Sequence, residues 1–341
     1  TNSTPLRRIF VGMASLQKEQ NDKTEIFTGV GCWMVCSVGL MVFNKLAVTE
    51  FPLACTLVAM QMLFTAVTMM TVCWSSIHIG SMKDVLRWCM VVPFFCGMLL
   101  TSMFALSNAS MTTVVTFRAI APLIALSIER FYPNPLKVTP AIVACIMAMI
   151  GGAIIYAHEM DITDRSAIGW LALNNFFAIG DRLLQRLMLA KDQNPVDISK
   201  TGVTMLNNSI GMVPLAVVAY CTGEFKDLGP ALSKMDHMGA CWVAMSCIVG
   251  VGISYCGVWA QSLITATSFL VLVNANKFFI IFLETFVMGT KSMSPIQIVG
   301  ASIAVLAAAA YGEARSQAEA ESKKEPVETT PILDKAGKSS P

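Results

Sequence analysis

Four basic residues, Lys45, Arg118, Arg182 and Lys277, fall within or at the ends of long apolar stretches. A bare cation in hydrocarbon costs roughly 2.5–3.5 kcal/mol even on the mildest insertion scales. Each therefore needs a wet cavity, a counter-charge or an interfacial position. Lys277 stands between Val271–Val273 and Phe278–Leu283, and Arg118 follows Thr116-Phe117. Glu284 lies two turns beyond Lys277, about 10 Å along a helix, and Glu129 is farther still from Arg118. Pairing within one helix is thus unavailable, which leaves a pair across helices or an anion. Lys45 sits toward a span end, where snorkelling to the interface accounts for it. Asp181 could neutralise Arg182 locally.

Two polar clusters stand near these cations. Asn207-Asn208-Ser209 interrupts one apolar stretch and Asn274-Ala275-Asn276-Lys277 another. Asn amides carry donors and acceptors, which suits a nucleobase edge or sugar hydroxyls; the competing reading is hydrogen bonding between packed helices. Asn174-Asn175, Tyr255, Ser254 and Thr267-Ser268 are weaker candidates for the same cavity, and Gly250, Gly252 and Gly257 read as packing positions. The eleven Cys lie mostly in apolar stretches and the three His do not cluster. No metal site, cofactor, phosphate-binding Gly loop or catalytic triad is indicated, so an enzyme reading lacks its parts.

These residues need elements to hold them. The chain is 55% hydrophobic and only 13% charged, with a mean hydropathy of +0.63. Soluble domains carry about 25% charged residues, so lipid is the solvent for much of this one. A span takes about 20 apolar residues, and in lipid the backbone must pair internally, as helix. Spans are expected near 26–46, 52–74, 87–108, 111–130, 138–157, 166–190, 199–221, 239–260, 263–288 and 294–312. The fold class is thus an all-α membrane protein of about ten transmembrane helices. Polar tails at 1–25 and 313–341 flank the domain at 26–312, the second rich in Glu, Lys, Ser and Ala and expected to be disordered. The chain begins at Thr1 rather than Met, which leaves its native start open. With both ends in the cytosol, sixteen Lys and Arg face that side and four (Arg165, Lys226, Lys234, Lys291) the other, as the positive-inside rule requires. The net charge of +2 gives nucleic acid no basic field to bind.

The halves, about 26–157 and 166–312, resemble each other. At a shift of 155, Thr112 meets Thr267, Glu129 meets Glu284, Pro140 meets Pro295 and Tyr156 meets Tyr311. At 137, Trp33 meets Trp170 and Asn44-Lys45 meets Asp181-Arg182; at 143, Pro52 and Met62 meet Pro195 and Met205. Five spans per half is odd, so the repeats would be inverted, as in many secondary transporters that bind substrate between them.

These features resemble the nucleotide-sugar transporters of the drug/metabolite transporter superfamily, over about residues 26–312. Within it the Golgi GDP-mannose branch is the nearest likeness. Met205-Leu206-Asn207-Asn208 stands where that branch has FYNN, and Val273-Asn274-Ala275-Asn276-Lys277 where it has GALNK; Thr116-Phe117-Arg118 and Glu129 are also similar. The resemblance implies that Asn207 and Asn208 read guanine and Lys277 meets the diphosphate, with Arg118, Lys45, Ser209, Tyr255, Asn274 and Asn276 completing a substrate site. It implies exchange of a GDP-sugar for the nucleoside monophosphate across the Golgi membrane, with endoplasmic reticulum or plastid as other compartments. Its partners would be those two solutes, membrane lipid and, on the same analogy, a second copy as a homodimer. Leu206 and Val273-Asn274 depart from the branch pattern and bear on which sugar fits. The alternatives are an organic-phosphate translocator of triose-phosphate or phosphoenolpyruvate type, and a non-transporting membrane scaffold or receptor. Glu129 and Glu284 could be structural or could accept protons.

Overall fold

The computed structural model describes residues 5–108, 111–135, 137–158, 165–286 and 293–324. These form α1 (Pro5–Glu50), α2 (Ala54–Thr71), α3 (Met82–Cys89), α4 (Val92–Asn108), α5 (Met111–Arg118), α6 (Ala121–Glu129) and α7 (Pro140–Ala157). Then come α8 (Arg165–Leu189), α9 (Lys200–Cys221), α10 (Glu224–Lys234), α11 (His237–Leu263), α12 (Ala266–Phe286) and α13 (Pro295–Lys324). Among the described residues the one extended pairing outside strands is an antiparallel bridge, Ile79 with Ile198. The chain is an all-helical, multi-pass membrane protein. Seven helices are long and apolar enough to cross a bilayer: Lys23–Glu50, Ala54–Thr71, Met82–Ser102, Pro140–Ala157, Lys200–Cys221, His237–Leu263 and Pro295–Glu321.

The other three expected spans are helical too, and the sequence explains why they fall short of that measure. α8 carries Asp181, Arg182 and Arg186. The apolar part of α12 that qualifies runs only over Ala266–Phe282. The segment expected as one span at 111–130 is two short helices, α5 and α6. Pro122, in the first turn of α6, has no N–H and its ring excludes the carbonyl four residues back, that of Arg118. The freed main-chain oxygens are taken by side chains from elsewhere. Asn274 Nδ2 donates to the Arg118 carbonyl at 3.0 Å and Asn175 Nδ2 to the Phe117 carbonyl at 2.8 Å.

The helices extend into both expected tails, and at the C-terminal end this replaces part of the expected disorder. Helix α1 starts at Pro5, within the expected 1–25 tail, and α13 continues from its span to Lys324. Residues 313–324 are therefore helical; 325–341 lie outside the described residues. Ala, Glu, Gln, Arg and Lys are good helix formers, and a preceding span removes the nucleation cost. Arg315 also pairs with Glu319 at 3.3 Å and Gln317 with Glu313 at 2.9 Å, each one turn apart.

Most helix starts are capped locally: Thr139, Ser199 and Asp236 accept from Ile142, Gly202 and Gly239 N–H. Two borrow a carboxylate from far away. Glu224 accepts from Cys55 N at 3.1 Å and Thr56 N at 2.7 Å, at the start of α2. Glu129 accepts from Ala266 N at 2.7 Å, Thr267 N at 3.2 Å and Thr267 Oγ1 at 2.5 Å, at the start of α12. A negative charge on free helix N–H groups is favourable, so Glu129 acts as a cap of α12. The side chain of Glu284 lies outside the described residues.

The closest helix pairs are α7 with α13, α1 with α11, α2 with α9 and α4 with α8. The α7–α13 contact is made by main chain. A Cβ on Gly152 would stand 2.7 Å from both Ala304 N and Gly300 O. Small residues at such crossings let helices approach where lipid gives no hydrophobic drive. Tyr156 packs edge-on against Phe278 beside this seam, with centroids 5.5 Å apart.

Candidate functional site

A cavity of about 330 Å³ is walled by α1, α2, α4, the α5–α6 break, α8, α9, α11 and α12. Its polar wall includes Arg118, Arg182, Asn175, Gln61, Gln185, Asn207 and Asn208. No carboxylate lines it among the described residues.

Arg118 is held by neutral groups. Its Nε and Nη2 donate to Asn174 Oδ1 at 2.9 and 2.5 Å, and Nη2 also reaches Ser102 Oγ at 3.2 Å. Asn174, 1% exposed, is itself fixed by Nδ2 bonds to the Met98 carbonyl at 2.8 Å and Thr101 Oγ1 at 3.0 Å. The guanidinium is thus aimed without being neutralised. Arg182 lies 4.6 Å over the Phe269 ring, and Phe269 packs on Trp33 at 4.9 Å. Asp181, behind Arg182 and fully buried, is 3.5 Å from its Nη1.

The Asn pair is oriented by what it bonds. The Trp88 indole N–H can only donate, and it donates to Asn207 Oδ1 at 2.9 Å. The Thr204 carbonyl can only accept, and it accepts from Asn208 Nδ2 at 2.8 Å. That leaves the Asn207 amide N–H groups as donors and Asn208 Oδ1 as an acceptor. Together the wall offers two cations, a donor and an acceptor: a site shaped for a polar anion.

Of the residues singled out from sequence, the structure brings Asn207, Asn208, Arg118 and Asn274 to this wall, together with Arg182, Asn175 and Ser254 and the glycines Gly250 and Gly257. Asn274 spends its Nδ2 on the helix break. Lys277 is one turn beyond Asn274 on the same helix, outside the wall, and among the described residues has no carboxylate partner. Asn276 instead donates to Ser37 Oγ at 2.8 Å, joining α12 to α1. Ser209 and Tyr255 stand off the wall, and Lys45 is exposed near the end of α1. Its neighbour Asn44 turns inward and accepts from Gln61 Nε2 at 2.7 Å. Sequence reasoning missed Trp33, Gln61, Gln185, Ser102 and Thr204 as lining residues. Two mid-span glutamines were the available signal.

No protein-family model matches the chain. It is 26% identical over 301 residues to GDP-fucose transporter 1 of Arabidopsis thaliana, covering 84% of this chain and 85% of that protein. A crystal structure of a protein 14% identical in sequence superposes with a TM-score of 0.59, covering 87% of this chain and 98% of that one. At that identity the likeness is one of fold. The sequence likeness is to a carrier rather than to an enzyme, and agrees with a cavity that holds polar and cationic groups but no reacting set.

Proposed function

We propose that this protein is a nucleotide-sugar antiporter that carries a GDP-sugar across the Golgi membrane in exchange for GMP. The observation that carries the reading is the central cavity, where two cations without a carboxylate in the wall face an oriented donor–acceptor pair. Arg118 and Arg182 would meet the diphosphate. Asn207 would donate to guanine O6 and Asn208 would accept from N1–H. Trp33 offers a ring face in the same wall.

The architecture proposed is ten spans in two inverted five-helix repeats with both termini cytosolic. Exchanging the halves turns the α1–α11 contact into α8–α4 and leaves α2–α9 and α7–α13 unchanged, so the close pairs form a set closed under the exchange. The relative's name makes GDP-fucose as strong a candidate sugar as GDP-mannose, and Val273-Asn274 at the wall is where the two would be told apart.

The test is counterflow in proteoliposomes loaded with GMP, UMP, CMP, AMP or phosphoenolpyruvate, following labelled GDP-fucose and GDP-mannose. Loading with GMP should accelerate uptake on the order of tenfold over the other nucleotides, the effect of one or two base hydrogen bonds. Uracil offers a similar donor–acceptor edge on a smaller ring, so equal exchange with UMP would overturn the guanine assignment. Exchange with phosphoenolpyruvate alone would replace the reading with an organic-phosphate carrier, and no exchange at all would favour a scaffold.

A further inference from the structure

Among the described residues Asp181 is the one carboxylate in ion-pair range of the cavity's cations, and the site described so far does not use it. It is 0% exposed, one residue before Arg182 on α8. Its Oδ1 accepts from Gln185 Nε2 at 2.8 Å, and Gln185 itself lines the cavity. Its Oδ2 has no hydrogen bond, and Arg182 Nη1 stands 3.5 Å away. A charge-assisted N–H···O bond closes to about 2.7–2.9 Å, so this pair is in range and unclosed. Arg182 is shared between Asp181 behind it, the Phe269 ring beneath it and the cavity in front.

We propose that Asp181 is an internal counter-anion: it holds the charge of Arg182 when the cavity is empty and gives Arg182 up to phosphate when a nucleotide enters. The inference rests on the nucleotide reading above and deepens it. The charges decide the behaviour. Arg118 and Arg182 contribute two positive charges and Asp181 removes one. A phosphate monoester brings about −1.5 to −2 near neutral pH, so the site passes from +1 when empty to about −0.5 to −1 when loaded, and without Asp181 the empty site would hold +2 and the loaded site close to zero. A buried excess charge opposes passage through the closed state that reorientation requires. Asp181 therefore weakens nucleotide binding somewhat and allows the empty carrier to return.

The experiment uses full-length protein in liposomes and two readouts: half-saturation by GMP, and the ratio of uptake into GMP-loaded vesicles to uptake into empty ones. Asp181→Asn is close in shape and loses the charge. It should bind GMP more tightly, on the order of tenfold, and take up nucleotide into empty vesicles more slowly while exchange persists. Asp181→Glu keeps the charge and reaches farther toward Arg182, so it should bind GMP less tightly and leak more into empty vesicles. A merely structural carboxylate would lower both fluxes together in Asp181→Asn. That result, or weaker GMP binding in Asp181→Asn, overturns the proposal. Should Asp181→Asn not fold, unchanged binding and ratio in Asp181→Glu would overturn it as well. Absence of nucleotide exchange in the unmodified protein would defeat the function proposed above and this inference with it.

Discussion

Arg118 shows how one side chain is prepared for an anion. An arginine closed on a buried carboxylate at hydrogen-bond distance is spent on that pair. Here the guanidinium is fixed by the neutral oxygen of Asn174, which is fixed in turn by Met98 and Thr101 on α4. Asn174→Asp should leave the protein folded and abolish nucleotide binding, because a carboxylate at the same place neutralises the guanidinium. Asn174→Ala removes the bonds that aim the guanidinium but leaves its charge free, and should weaken binding by about tenfold, roughly 1.4 kcal/mol, rather than abolish it. Thermal stabilisation by GMP in detergent reports both; an Asn174→Asp protein stabilised as strongly as the unmodified one would refute the role. Sequence pointed to Arg118 and to the Asn207-Asn208 pair, since charge and amide clusters stand out in apolar runs. It could not assign Asn174, whose partners lie 56 and 76 residues away. Nor could it separate Asn276 and Asn274, which serve Ser37 and the broken helix, from Asn207 and Asn208.

At the scale of elements, the spans were legible wherever hydropathy runs unbroken, and the interruption of the fourth was not. Apart from Arg118 its composition gives no sign of an interruption before Glu129, and Pro122 marks the break. What makes the break tolerable is supplied by Asn175 of α8 and Asn274 of α12, which meet the freed carbonyls. Glu129 ends the same segment and caps α12, so α6 and α12 are tied by a carboxylate as well as by packing. Glu129→Gln keeps the shape and loses the charge at a helix N-terminus, an effect of about 0.3–2 kcal/mol. The expected outcome is a fall in Tm of a few degrees with exchange retained at every pH. If Glu129→Gln abolished exchange without lowering Tm, the carboxylate would be a proton acceptor rather than a cap.

For the whole molecule, the question is whether two halves move about one cavity. α7 and α13, absent from the cavity wall, meet through main chain at Gly152 and Gly300. They form a seam outside the site, while the remaining long helices surround it. Each proposed half thus contributes one seam helix and a set of wall helices, the arrangement an inverted repeat would produce. The sequence carried this only as matched residues at three growing shifts, because loop lengths blur the register. Inversion has a consequence that does not depend on side chains. Five spans per half would make ten, ten would place both ends on one side, and the Lys and Arg distribution points to the cytosol as that side. Epitope tags at the two termini should both be removed by protease added to sealed Golgi vesicles, and a tag in the 222–238 connection should be protected until detergent is added. Protection of one terminal tag and loss of the other would require an odd number of spans. The two halves could not then be five-span inverted repeats, and the cavity would need a different account of how it opens to each side in turn.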